Sequence, residues 1–528
     1  MPTLKIDGKD ITVEPGTTIF QAAKKLGISI PHYCYHPALK PDGNCRMCFV
    51  EIEGRPKLEI SCRTPVQEGL VVHTNSPKVL EGRKYVMEFF LINHPLDCPE
   101  CDQAGECKLQ DYSFKHGPGH SRYKEPKRIL PYKDLGPHIV LYTTRCIMCK
   151  RCVRFCNEIV GVPELRVFEH GNLTQIDIYP GKPLTNPLAG NVVDICPVGA
   201  LIDKDFLHKT RVWNLNSTKS ICPKCATGCN ILIDVKDNRI QRLKPRLNPE
   251  VNSYWICNDG RYGYHEWENV NRVIQPLFVK EKLSVSWADA YKKVVEGFKK
   301  VIAKHGPESV AGIGSASATN EENFLLSRLI THVIGGDKVA LHQFDGKQEE
   351  QIFKSGFIIS HDKNPNSAGA RISLGLNSGL GGIHDLVQNI KSGSIKAVYF
   401  LVQDWRDGIP DELAKVFKKL NFLVIQNAAL NTAAEHTDVF LPSAMYAENT
   451  GTYVNRTGHL QKISPALIPP DEIRHGWQIL ANLFSEFGST ERYMTIDSVF
   501  SKMAETISLF KGITFQNIGA QGIQLDIS

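Results

Sequence analysis

The feature that most constrains this 528-residue chain is the placement of its sixteen cysteines. All lie between Cys34 and Cys257, and fifteen of them fall with one histidine into four ligand-like sets. No cysteine follows Cys257. Thiolate sulfur is the ligand that holds inorganic iron-sulfur cores, so the pattern points to a protein that stores and passes single electrons. An even cysteine count also suits a secreted disulfide framework, but such scaffolds are short, and the start MPTLKIDGKD has no basic segment followed by an apolar one. Paired CxxC motifs suit tetrahedral zinc as well, so each set alone leaves zinc open and the decision rests on the four together.

The first set is Cys34, Cys45, Cys48 and Cys62, in HYCYHPALKPDGNCRMCFVEIEG and then SCRTP. Ahead of it, TLKIDGKDITVEPG alternates apolar and polar residues around Gly8 and predicts a hairpin, and TIFQAAKKLGI has helical spacing at Ile19, Ala22, Ala23 and Leu26. A hairpin, a helix and a cysteine-bearing loop follow one another as in a plant-type ferredoxin, although ten residues rather than four separate the first two ligands. A 2Fe-2S cluster is expected, with Gly43 and Asn44 letting the loop turn close to it. The second set, His94, Cys98, Cys101 and Cys107, sits in NHPLDCPECDQAGECKLQD after the helical run EGRKYVMEFFLIN. Three close cysteines lack a fourth ligand, and a 4Fe-4S cube needs four, so His94 is read as completing the set.

In TTRCIMCKRCVRFC, Cys146, Cys149 and Cys152 are spaced as in bacterial ferredoxins, and DICPVGAL supplies Cys196 followed by a proline. Those ferredoxins take a fourth ligand from a distant Cys-Pro, so Cys196 closes this cube and Cys156 is a spare thiol. Arg145, Lys150, Arg151 and Arg154 crowd the motif, either as a solvated basic face or as an offset to cluster charge. The fourth set, Cys222, Cys225, Cys229 and Cys257, is by spacing alone ambiguous between a zinc knuckle and a 4Fe-4S cube. Its surroundings, ICPKCATGCNILIDVKDNRI and YWICNDGRYG, resemble the cluster-binding entrance of molybdopterin oxidoreductases.

Taken together, these motifs resemble the large iron-sulfur subunit, the G-type subunit, of respiratory complex I, the proton-translocating NADH:quinone oxidoreductase. The resemblance covers essentially the whole chain. Its most specific parts are HPLDCPECDQAGECKLQD and the forty-three-residue interval between Cys152 and Cys196. It implies one 2Fe-2S cluster on the Cys34 set and three 4Fe-4S clusters on the His94, Cys146 and Cys222 sets. It also implies electrons arriving from a flavin- and NADH-binding subunit at the 2Fe-2S cluster. They would pass to the Cys146 cluster and leave from the His94 cluster toward a ferredoxin-like subunit on the quinone side, with the membrane arm reached indirectly. The expected organisation is α+β and multidomain: a 2Fe-2S ferredoxin-type β-grasp domain at 1–78, a His/Cys3 4Fe-4S domain at 79–118, a ferredoxin-like 4Fe-4S domain at 119–214, a molybdopterin-oxidoreductase-type 4Fe-4S domain at 215–271, and a truncated molybdopterin-oxidoreductase-like α/β domain at 272–528. The same N-terminal module occurs in NAD-linked hydrogenases and formate dehydrogenases, but a catalytic iron-hydrogenase domain would need further C-terminal cysteines. A non-redox zinc scaffold is the other alternative.

Beyond Gly260 the pattern becomes alternating strands and helices. ESVAGIGSASATNEENFLLSRLITHVIGG reads as strand, loop and helix, and KAVYFLVQ and NFLVIQNAA read as buried parallel strands flanking the helix DELAKVFKKL. HTDVFLPSAMYAENTGTYVNRTGHLQ resembles the segment that follows such strands in molybdopterin oxidoreductases. The string GLNSGLGG lacks any complete phosphate-binding fingerprint and is taken as a loop. No molybdopterin is expected: no cysteine follows Cys257, and the lysine that active relatives carry two residues after the last cluster cysteine is Asp259 here.

A net charge of +6 with dispersed basic residues argues against nucleic acid as a partner. No run of about 18 apolar residues spans a bilayer, so membrane association must come through partners. The Pro-rich KEPKRILPYKDLGPH is expected to link cluster modules. The absence of an Arg-rich leader, and the presence of the Cys222 set that mitochondrial relatives lack, favour a bacterial protein, peripheral on the cytoplasmic face of the inner membrane.

Overall fold

The computed structural model describes residues 1–527 except 269, 271, 347, 377–381, 404–408, 410, 431–434 and 471. Most of GLNSGLGG therefore lies outside the described residues. The chain divides into two compact units, one of residues 1–215 with 353–357, the other of 216–352 with 358–528.

The first unit begins with the hairpin Thr3–Ile6 and Lys9–Thr12, turned at Asp7 and Gly8, both with positive φ as a two-residue hairpin turn demands. Thr3–Ile6 also pairs in parallel with Val71–His73, giving a five-stranded mixed sheet completed by Phe49–Ile52 and Glu59–Ile60. Helix Ile19–Lys25 lies against it because Ile19, Phe20, Ala22 and Ala23 are buried on one side. Thr18 and Gln21 form a capping box at its start, and Lys24 and Lys25 face the negative end of its dipole. Two of its free N–H groups, on Ile19 and Phe20, donate to the Thr64 and Ser61 carbonyls at 3.0 Å. The helix N-terminus thereby holds the loop that carries Cys62.

Helix Pro77–Leu91 starts at a Ser76 cap, earlier than the apolar run alone suggests, and buries Val79, Arg83 and Met87. Part of the expected linker is not a linker. Tyr132–Asp134 forms an edge strand against Ile139–Tyr142, which also pairs with Leu201–Asp203, because every residue of this last strand and three of Ile139–Tyr142 are buried. Short helix Asn191–Ile195 packs against Leu201–Asp203, and helix Arg151–Phe155 packs against that helix.

The second unit opens with the antiparallel strands Asn216–Ile221, Asn230–Lys236 and Arg239–Pro245. Its main sheet has seven strands. Five are parallel, in the spatial order Val439–Pro442, Phe422–Asn427, Ala397–Leu401, Val310–Ser315, Lys338–His342, with the short antiparallel pair Leu277–Phe278 and Leu283–Ser284 at one edge. Four of the five parallel strands are buried along their whole length, with separate apolar clusters on the two faces. Strand order reverses between Val310–Ser315 and Ala397–Leu401, where an open α/β sheet ordinarily binds a ligand. Here protein fills the crevice: Gln403 Nε2 donates to Glu322 Oε1 at 2.7 Å, Asn449 Nδ2 donates to the same oxygen at 3.1 Å, and a Cβ on Gly476 would fall 1.9 Å from it.

Candidate metal centres

In the first set, Cys34, Cys45, Cys48 and Cys62 are all buried, and the last two belong to the apolar core beneath the five-stranded sheet. The loop from Cys34 to Cys48 turns at Gly43, φ +76°, where a Cβ would sit 2.7 Å from Ile60 Cδ1 and 2.9 Å from Arg63 Cδ. Cys34 lies within hydrogen-bond reach of Cys45 and Cys62, and Cys62 within reach of Cys48. Hydrogen bonds from Cys45 and Cys62 lower the Cys34 thiol to about 2, and one from Cys62 lowers Cys48 to about 7, while Cys45 and Cys62 rise because each donates to an ionised neighbour. Main-chain N–H groups of Gly43 and Cys45 also bond to Cys34.

Cys146, Cys149, Cys152 and Cys196 line one small cavity, walled mostly by apolar side chains such as Leu141 and Ile176, with Lys150 and Arg151 also at its edge. Cys156 is absent from its lining. It is fully buried elsewhere, at the start of the π-helical turn Cys156–Val160, and burial raises its thiol to about 12. Burial first, and then the neighbouring sulfurs, raise Cys146 to about 12 and Cys149 to about 11. Four thiolates in a mostly apolar cavity repel one another, so the donor set suits a cationic centre, whose binding must displace those protons. Arg145 and Arg151 are 6% and 4% exposed and so are not part of a solvated face. Arg145 Nε donates to Asp97 Oδ2 at 2.8 Å, and Arg151 Nη1 donates to the Ile195 carbonyl at 3.0 Å.

In the second set Cys101 and Cys107 are buried and Cys98 is exposed. Burial lowers the His94 imidazole to about 4 and raises Cys107 to about 11. A neutral imidazole is the form that binds metal. Its buried Nδ1 has no hydrogen-bond partner, while the Arg145 main chain lies within hydrogen-bond reach of the ring, the arrangement by which a backbone group orients a ligating histidine. Asp97 and Arg145 flank both His94 and Cys101.

The Cys146 set is laced to both others. Arg154 Nη2 donates to the carbonyls of Cys34 and Cys149, and Asn44 Nδ2 donates to the Met148 carbonyl at 3.0 Å. On the other side Lys108 N donates to the Pro197 carbonyl at 3.1 Å, beside Cys107 and Cys196. Tyr33, fully buried, lies within electrostatic range of both Cys45 and Cys107. Its ring packs edge-on against Phe90 and Tyr112, and its hydroxyl donates to Met87 Sδ at 3.2 Å, so it excludes water between the first and second sets. The motif reading passed over Asp97 and Tyr33. Both are adjacent to a ligand in sequence, HPLDC and HYC, and that adjacency was the available signal.

Cys222, Cys225, Cys229 and Cys257 are all buried in the second unit. Cys222 follows one strand and Cys229 precedes the next, and Cys222 N donates to the Cys229 carbonyl at 2.8 Å, which closes the loop between them. Asn252 ties Cys257 to the same strand, accepting from Asn230 N and donating to the Trp255 carbonyl, both at 3.0 Å. Cys257 then caps helix Asn258–Tyr262, where a Cβ on Gly260 would stand 3.0 Å from Cys222 Sγ. Burial raises Cys257 to about 12. Among the described residues no three His, Cys, Asp or Glu side chains close around a point as a single ion requires.

Comparison with known proteins matches five family models to stretches of the chain. A 2Fe-2S iron-sulfur cluster binding domain matches residues 1–77, an NADH-ubiquinone oxidoreductase-G iron-sulfur binding region 83–122, and the ferredoxin-like domain of NADH-quinone oxidoreductase subunit 3 residues 136–202. A molybdopterin oxidoreductase Fe4S4 domain matches 215–269, and molybdopterin oxidoreductase 339–486. The G-type subunit of the NADH-quinone oxidoreductase of Rickettsia felis is 42% identical over 66% of this chain and 51% of its own length, and that of Rickettsia bellii 39% over 75% and 58%. The chain thus spans little more than half the length of the curated relatives it matches. A solved chain of an NAD+-reducing NiFe-hydrogenase in the H2-reduced state aligns with 40% of this chain and 91% of its own, at 30% identity and a TM-score of 0.36.

Proposed function

The chain is a homologue of the G-type iron-sulfur subunits of NADH-quinone oxidoreductase, and from that premise we propose that it is the electron relay of such a complex, carrying electrons from a flavin-bearing, NADH-oxidising subunit toward a ferredoxin-like subunit and quinone. One observation carries the reading: the first three donor sets share a single hydrogen-bonded framework, in which Arg154 holds the carbonyls of Cys34 and Cys149 and the Pro197 carbonyl receives Lys108 N. The ligands proposed are Cys34, Cys45, Cys48 and Cys62 for one 2Fe-2S cluster. Three 4Fe-4S clusters fall to His94, Cys98, Cys101 and Cys107, to Cys146, Cys149, Cys152 and Cys196, and to Cys222, Cys225, Cys229 and Cys257.

When bound, these clusters supply reversible one-electron chemistry. The chain's own residues do the rest. Apolar walls around the Cys146 cavity and the Tyr33 ring keep out water, Arg145 and Arg151 offset negative charge on nearby sulfur, and shared main-chain bonds hold the donor sets at constant separation. No acid, base or nucleophile enters. No helix among the described residues is long and apolar enough to cross a membrane, and the proposed attachment is peripheral, through partners.

Anaerobically purified chain should contain about fourteen iron and an equal amount of acid-labile sulfide. Zinc without sulfide would end the reading. His94→Cys should keep its cube but lower the midpoint potential, because a fourth thiolate makes the cluster more negative than neutral imidazole does. A redox titration showing an unmoved or higher midpoint would remove His94 from the ligand set.

A further inference from the structure

The fourth donor set borders a cleft whose lining brings Lys363 together with Cys225 and Cys257, and in which Lys224 is paired with Glu266. Asp259 lines the same cleft. Lys363 belongs to the segment SHDKN, far along the chain from either cysteine, and the fold delivers it there by a specific set of bonds. Ala226 N, inside the Cys225 loop, donates to the Asp362 carbonyl at 2.9 Å. Thr227 Oγ1 donates to the Ile358 carbonyl at 2.9 Å and accepts from Ser360 N at 3.2 Å. Within the segment, Asp362 N donates to Ser360 Oγ and Asn364 N to Asp362 Oδ1, the short-range turns that polar residues of this kind form. Asn364 then locks onto Phe344, accepting from its N–H at 2.8 Å and donating to its carbonyl at 3.0 Å.

Lysine is rarely buried, yet Lys363 is 9% exposed. Its stem lies on Gly346, where an added Cβ would come within 2.5 Å of Lys363 Cγ. So much ordering around one ammonium beside two cluster ligands calls for a reason. Reduction adds one negative charge to an already anionic thiolate cluster, and a fixed cation nearby favours the more negative state while a fixed anion disfavours it.

We propose that Lys363 is a positioning charge for the cluster held by Cys222, Cys225, Cys229 and Cys257, raising its reduction potential against the opposing charge of Asp259. The proposal rests on the reading of those four cysteines as cluster ligands. It assigns the segment 358–364 a task beyond packing: it is the arm that carries the cation to the cluster.

The test is a potentiometric titration of the full chain, reconstituted anaerobically with iron and sulfide and followed by paramagnetic resonance, the fourth signal being the one that Cys225→Ala removes. Lys363→Met should cut the reduced-to-oxidised ratio about tenfold at a fixed potential, which for one electron is a fall in midpoint of about 59 mV. Asp259→Asn should move the midpoint up, and Lys363→Arg should hold it at the unsubstituted value. An unmoved midpoint in Lys363→Met, or shifts of the same sign in Lys363→Met and Asp259→Asn, overturns the proposal. If Lys363→Met loses the signal, Lys363→Gln is titrated in its place, and loss there too makes the residue structural and overturns the proposal. An unsubstituted chain without the fourth signal refutes the ligand reading itself, and the proposal with it, whereas a signal whose potential ignores residue 363 refutes the proposal alone.

Discussion

Cys196→Ala is expected to abolish one of the three 4Fe-4S clusters and with it NADH:quinone turnover, while Cys156→Ala keeps all four clusters. Cys146, Cys149, Cys152 and Cys196 line the same cavity, and removing one thiolate leaves a cube with three ligands. If the Cys146 set joins the other two sets of the first unit, as its shared bonds through Arg154 and Pro197 suggest, losing it interrupts the relay at its middle. Cys156, by contrast, behaves as a small buried apolar side chain. Its truncation removes one buried sulfur and should cost about 1–2 kcal/mol of stability through lost packing, with no change in iron content. Iron and sulfide analysis with quantitative paramagnetic resonance on both variants decides the assignment. Loss of a cluster in Cys156→Ala and its retention in Cys196→Ala would exchange the two cysteines.

The second large effect is expected on assembly rather than on turnover. Cys225→Ala should lower the amount of assembled complex several-fold and leave turnover per assembled complex nearly unchanged. The fourth set joins the loop after strand Asn216–Ile221 to Cys257, the cap of helix Asn258–Tyr262, and the Cys225 loop in turn holds segment 358–364 through Ala226 and Thr227. Metal binding free energy is folding free energy where ligands come from separate stretches of chain, so loss of the core loosens all three. The crevice at the main sheet's reversal of strand order is filled by Glu322, Gln403 and the Gly476 backbone, and no acceptor is proposed beyond this cluster. A branch without an acceptor carries no net current. Turnover normalised to flavin content is the measurement, and a tenfold loss in fully assembled complex would put the fourth cluster on the path.

Much of the secondary structure was legible because its causes are local. Asp7-Gly8 between alternating residues specifies a two-residue hairpin turn, and the apolar spacing of Ile19, Ala22 and Ala23 specifies a helix that Thr18 and Gln21 cap. Short apolar runs such as Ala397–Leu401 and residues 422–425 read as strands buried on both faces, and they are. The segment 124–138 misled for the opposite reason. Its prolines and lysines read as a linker, yet Tyr132–Asp134 is held as an edge strand by pairing with Ile139–Tyr142, a partner supplied by tertiary contact.

What the sequence by itself determined is the donor chemistry. Ligand spacing within short loops, the Cys-Pro at 196–197 and the histidine before three close cysteines are properties of contiguous chain, and metal ligation is short-ranged enough to be written there. Only the tertiary structure decided the environment of those donors. It brought Cys196 into one cavity with Cys146 and left Cys156 outside it, buried Arg145 against Asp97 instead of leaving it in water, placed Tyr33 near both Cys45 and Cys107, and set Lys363 in the same cleft as Cys257. The reason is physical: burial and Coulomb interactions depend on distance through space and on the medium between charges, and neither quantity is a function of separation along the chain.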